Sequence, residues 1–180
     1  MALVKDFNEK VDLICRSNKI FYTGWMDPDK QAKAVKLSKL KGIPCAHLDH
    51  IRKANGKVPF VDMYNLEKLL LKEPKWVLEG FVKNERNSLM QLNDLTIWNN
   101  GDLDSMLIAY EKYQKSLFST ELGCEFDPDA VFWLNNEKGL QETEADIKTF
   151  YSKRQPVIEI SSPEEMNELA FQVIENNLRG

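Results

Sequence analysis

The chain has 180 residues, of which 43% are apolar and 29% charged, enough to bury one substantial core and too apolar for a disordered polymer. Twenty-four Lys plus Arg against 28 Asp plus Glu leave a formal charge of -4, which argues against a general nucleic-acid-coating surface, because such surfaces carry surplus cations. Cys15, Cys45 and Cys124 form no CxxC pair and read as free thiols, no stretch approaches the ~18 apolar residues of a membrane span, and charges interrupt the start where a signal peptide would be apolar.

In chain order, Leu3, Phe7, Val11 and Ile14 recur at helical spacing and predict an amphipathic helix over 3–16. Lys19 to Thr23 is a β-favouring run ending at Gly24, and Trp-Met-Asp-Pro-Asp after it is turn chemistry. Lys30 to Lys41 has strong helix formers and a stop at Gly42. Ile43 to Asp49 reads as a second strand, Val58 to Met63 as a short extended piece, Tyr64 to Lys72 as a helix and Lys75 to Gly80 as a third core strand. A helical or irregular segment around 84–93 precedes a fourth strand at Leu95 to Trp98. The pattern predicts an amphipathic helix over 103–118, a strand or buried loop over 130–134, and a helix over 141–154. Pro156 to Ile160 is the last strand, and Ser162-Pro163-Glu164-Glu165 opens a closing helix with an N-cap Ser, Pro at the first position and an acidic first turn. Strands alternating with helices predict an α/β fold, a three-layer sandwich with a mostly parallel sheet. One domain over 1–180, with 1–18 as a helical extension, and a cytoplasmic location are the expectations.

The loop at 24–31 has the setting of a phosphate cradle. In GxxxxGK[ST] between strand and helix, glycines let backbone N–H groups wrap phosphate, Lys reaches the outer phosphates and the hydroxyl holds magnesium. Here Gly24 and Lys30 are in register, but Asp29 stands at the second glycine and Gln31 at the hydroxyl position. Asp27 and Asp29 repel a polyphosphate, and Pro28 removes one N–H donor. Asp29 serves equally as a plain N-cap for the helix beginning at Lys30, so both readings stay open.

Beyond the loop, KLSKLKGIPCAHLDHI followed by KWVLEGF resembles the region of small P-loop kinases where an LGIP-like turn, HLD and WVxDGN follow one another. The likeness is to adenylate-kinase-like nucleotide and nucleoside kinases, in particular the topology-modulation branch, and YSKRQPVIEISSPEEMNELAFQVIENNL is similar to their closing strand and helix. It covers roughly 19–100 and 145–178. The resemblance implies the P-loop-kinase-like fold and an ATP-dependent phosphotransferase using Mg2+. Lys30 and Asp49 are then the candidate catalytic residues, Lys30 with Gly24 on the phosphates and Asp49 near the acceptor hydroxyl or its magnesium. Glu79 and Gly80 line the same crevice; read from the residues alone, Arg52, Lys53 and Lys57 cluster after HLDH either as contacts to a substrate phosphate or, more ordinarily, as a solvated loop. The chain departs from the Arg-bearing lid of such kinases, having only lysines as cations between 87 and 153.

Other constellations have plainer readings. His47 and His50 flank Asp49, but neighbours on a strand point to opposite faces, which disfavours a shared metal. Cys45 shares a face with His47 and reads as a core thiol. Trp76, Trp98 and Trp133 lie in or beside predicted strands and read as core, while Trp25 sits in the loop. Two functions follow: a kinase-like phosphotransferase with a diverged phosphate loop acting on a nucleotide or nucleoside-like small molecule, or a catalytically inactive scaffold of the same fold that binds a protein partner.

Overall fold

The computed structural model describes residues 3–24, 30–48, 68, 70–80, 92–100, 149 and 155–179. Six strands form one sheet: β1 (Leu3–Val4), β2 (Lys19–Gly24), β3 (Cys45–His47), β4 (Trp76–Glu79), β5 (Leu95–Asn99) and β6 (Val157–Ile160). Their order is β1-β6-β5-β2-β4-β3, and every pairing is parallel. Parallel neighbours cannot be joined by a tight turn, so each connection crosses over the sheet. All strand C-termini therefore share one edge, where Gly24, His47, Glu79, Asn99 and Ile160 end their strands.

The helices described over their whole length are α1 (Phe7–Arg16), α2 (Lys30–Lys41) and α3 (Pro163–Arg179). α3 packs on both α1 and α2. Val11 and Ile14 of α1, Ala34 and Leu37 of α2, and Met166, Leu169 and Val173 of α3 join Ile20, Tyr22, Val77, Leu95, Ile97 and Ile158 in one core cluster. The alternate strand residues Phe21, Leu78 and Trp98 face the other side and are equally buried, so the sheet is covered on both faces. Near-continuous burial along β2, β4 and β5 explains why these strands read as apolar runs without alternation.

The helix predicted from residue 3 begins instead at Phe7. Asp6 is its N-cap, in extended conformation at ψ 132°, and its carboxylate accepts the Glu9 N–H at 2.9 Å. Leu3 and Val4 pair with Val157 and Ile158 as an edge strand, which the apolar spacing alone conceals. The second strand is also shorter than 43–49, because Ile43 and Pro44 belong to the turn. Gly42, at φ +62°, gives its N–H to Lys39 O at 3.2 Å, and Ile43 gives its own to Ser38 O at 3.1 Å, the paired bonds that end a helix at a left-handed residue. At the C-terminus of α1, Lys41 of α2 donates to the Ile14 carbonyl and, at 2.9 Å, to that of Cys15, satisfying groups the helix leaves open.

α2 matches its predicted bounds, and α3 opens as read. Glu165 N–H donates to Ser162 Oγ at 3.1 Å, and the Glu165 carboxylate accepts from Ser161 N–H at 2.8 Å. Ser162→Ala is expected to cost about 1 kcal/mol, read as a lower urea midpoint with an unchanged slope. Residues 68 and 70–72 are helical, in line with the helix read over 64–72. The elements predicted at 58–63, 103–118 and 130–134 lie outside the described residues. No helix among the described residues is long and apolar enough to cross a membrane.

Candidate functional site at the carboxyl edge of the sheet

Three strands and one helix converge at the shared edge. Tyr22 is in register with Glu79, and Glu79 with His47, so these three stand in a row across β2, β4 and β3. α2 lies against β3 and β4. Its first residue, Lys30, sends Nζ to within 3.0 Å of Glu79 Oε1, with the two side chains only 6% and 1% exposed. That contact is an ion pair rather than an aligned hydrogen bond, since Oε1 has no hydrogen-bond partner. The other oxygen, Oε2, lies 3.0 Å from His47 Nδ1. A carboxylate oxygen only accepts, so Nδ1 is the protonated ring nitrogen facing it. Glu79 is thus gripped from both sides.

A second buried cation lies one turn along α2. Lys33 Nζ donates to Asn99 Oδ1 at 3.2 Å, and the Tyr22 hydroxyl donates to the same oxygen, also at 3.2 Å. Lys33, Tyr22 and Asn99 were not singled out by the sequence reading. The signal was available, since positions 30 and 33 share a helix face and two lysines on a buried face are unusual.

Two glycines set the spacing of the strand ends. Gly24 has φ +114°, and a Cβ there would meet Asn99 O at 2.4 Å and Asn99 N at 2.7 Å, so β2 and β5 approach as only glycine allows. At Gly80, φ +155°, a Cβ would meet Leu48 Cβ at 2.5 Å, and its N–H donates to Tyr22 O at 3.1 Å. The structure thus brings Gly24, Lys30, Glu79 and Gly80 to one edge. Asp49 and Arg52 lie outside the described residues, as do Trp25, Asp27 and Asp29 of the loop.

The core reading of Trp76 and Trp98 holds. Trp98 is fully buried, and Trp76 is buried with its ring N–H donating to Leu70 O at 3.3 Å. His47 turns to Glu79, and no cluster of three or more His, Cys, Asp or Glu among the described residues is arranged to hold a metal ion. Cys45 Sγ stands 4.0 Å from His47 Nε2. Burial, reinforced by the Glu79 carboxylate, pushes the Cys45 thiol up to about 11. The folded state therefore keeps this proton after the unfolded chain has lost it, and stability falls as pH rises from the ordinary thiol value of 9.0 toward about 11. Urea titrations across that window are expected to show the decline, shallower in Cys45→Ser, and iodoacetamide is expected to label Cys45 slowly at neutral pH.

The residues fit a phosphate better than a bound metal. Lys30 and Lys33 are cations over a glycine-tipped strand, and the first turn of α2 carries no acidic side chain. Gln31, where a magnesium-holding hydroxyl would stand, is exposed. The described side chains of this edge do not fit a magnesium ion.

No family model matches the chain, and none of the curated proteins matches its sequence. Among solved structures it is similar to shikimate kinase from Acinetobacter baumannii in complex with shikimate, with a TM-score of 0.55 and 14% identity, over 94% of this chain and 97% of that one. An uncharacterized protein from Eubacterium ventriosum aligns with a TM-score of 0.45 and 14% identity, over 91% of this chain and 99% of that one. With the parallel sheet, the likeness to shikimate kinase establishes an α/β fold of the P-loop-kinase-like type.

Proposed function

We propose that this chain is a kinase-like phosphotransferase with a diverged phosphate loop, taking ATP with its magnesium as donor and a nucleotide or nucleoside-like small molecule as acceptor. One observation carries the reading: Lys30, the first residue of the helix that follows β2, has its ammonium drawn over the carboxyl edge of the sheet at the end of β4. Crevices outside strand C-termini are where open α/β sheets bind ligands, and phosphoryl transfer depends on positioning and cationic neutralisation more than on covalent help. In this reading Lys30 and Gly24 meet the donor phosphates and Asp49, just past β3, serves the acceptor hydroxyl. Arg52 meets an acceptor phosphate, and Glu79 and Gly80 form the floor.

The same ion pair favours a second reading. Glu79 already meets the Lys30 charge, and Asp27, Pro28 and Asp29 oppose a polyphosphate, as a non-catalytic scaffold for a protein partner would tolerate. Thermal denaturation with ATP and Mg2+ separates the two. ATP at a hundred times its dissociation constant adds about 2.7 kcal/mol to stability. For the phosphotransferase that gain appears in the parent protein and is absent in Lys30→Ala. A melting curve indifferent to ATP in the parent favours the scaffold.

A further inference from the structure

Glu79 and Lys30 differ in how firmly they are fixed. Glu79 ends a short strand hydrogen-bonded on both sides, by β2 and β3, and the Gly80 after it is held by Tyr22 O and pressed against Leu48. Its carboxylate has little freedom to follow a departing partner. Lys30 carries its ammonium on a flexible four-carbon stem from the start of α2. Its Nζ meets Oε1 at 3.0 Å, and Oε1 accepts no hydrogen bond that would fix that contact in direction.

We infer that Glu79 is a built-in counter-ion on which Lys30 rests without ligand, and that His47 keeps this carboxylate partnered when Lys30 moves to a ligand phosphate. The inference rests on the phosphate-binding reading above and adds what regulates that site. A buried charge pair is broken at high cost mainly because the partner left behind is uncompensated. Here the partner left behind is not bare, because His47 Nδ1 already occupies Oε2 at 3.0 Å. His47 is half-buried on the edge strand β3 and meets the carboxylate oxygen that Lys30 does not. Two arrangements of the ammonium then differ little enough for an anion to choose between them. Lys33 takes no part in the exchange, since its ammonium is held to Asn99. His47 is thus a positioning residue acting through Glu79, and Glu79 competes with the ligand.

The two side chains should therefore change affinity in opposite directions, which a merely structural role for either does not produce. Pyrophosphate binding, followed by calorimetry, is expected to tighten about tenfold in Glu79→Gln and to weaken in His47→Ala, with the double variant behaving like Glu79→Gln. A second readout needs no ligand: acetylation of Lys30 by an amine-reactive ester, quantified by mass spectrometry, is expected to speed up in Glu79→Gln and slow in His47→Ala. His47→Ala, at a half-buried edge position, keeps the question answerable if Glu79→Gln fails to fold. Unchanged Lys30 labelling in Glu79→Gln, unchanged or faster labelling in His47→Ala, or weaker pyrophosphate binding in Glu79→Gln, overturns the counter-ion role while leaving the phosphate site standing. Altered labelling with no pyrophosphate bound by any of the proteins overturns the phosphate reading instead.

Discussion

Glu79→Ala is expected to lower the free energy of unfolding by about 3 to 5 kcal/mol, the range seen when one member of a buried charge pair is removed. The loss has three sources in the structure. Lys30 is left at 6% side-chain exposure without its carboxylate, His47 loses the acceptor at 3.0 Å, and the volume of the Glu79 side chain is vacated at the end of β4. Most of the effect is the orphaned ammonium rather than lost attraction. The double change Lys30→Met with Glu79→Leu should therefore recover the larger part of the loss, since an apolar pair of similar volume leaves no buried charge. Urea unfolding of the single and double variants measures both quantities. A single-variant loss below about 1 kcal/mol would show the pair to be solvated in solution, as exposed ion pairs are.

Gly24→Ala is the second large effect, expected at about 3 kcal/mol or more. The φ of +114° is strained for any L side chain, and the added Cβ meets the backbone of Asn99, which cannot swing aside as a flexible side chain would. Relief requires the tip of β2 to move from β5, and that shift separates the Tyr22 hydroxyl from Asn99 as well. Gly42→Ala is the matched control: its φ is +62° but nothing lies within 4 Å of the added Cβ, so only the left-handed penalty of about 1 to 2 kcal/mol applies. Melting temperatures of the two variants, measured side by side, separate collision from conformational strain. Equal losses would overturn the close-approach argument for Gly24.

Local signals carried much of the architecture. α2 begins at Lys30 and ends at Lys41 as its composition and Gly42 predict, and α3 starts where Ser162, Pro163 and the two glutamates place it. The strands at 19–24, 76–79, 95–99 and 157–160 fall within a residue of their predicted bounds, because burial on both faces writes itself as an unbroken apolar run. Phe7 to Ile14 were equally legible as helix, but Leu3 joined the same spacing by coincidence. Its true partner, Val157, lies more than 150 positions away, and pairing across such a distance leaves no periodic mark near residue 3.

The site divides along the same line. Gly24, Lys30, Glu79 and Gly80 were visible as residue types at strand ends and loop exits, where parallel sheets collect function. That Lys30 and Glu79 meet, and that His47 turns to the free oxygen of the same carboxylate, is a property of register: β4 lies between β2 and β3, which puts residues 22, 79 and 47 in one row. Lys33 and Asn99 escaped notice for a related reason, since neither belongs to a motif and only the approach of α2 to the end of β5 brings them within hydrogen-bond reach of each other. Among the described residues, the helices and the central strands follow from interactions within a few residues of chain, and the sequence by itself determined those, along with the α/β class. Which charges share a buried edge depends on strand order and crossover, long-range choices made by the packing of the whole sheet, and only the tertiary structure decided that.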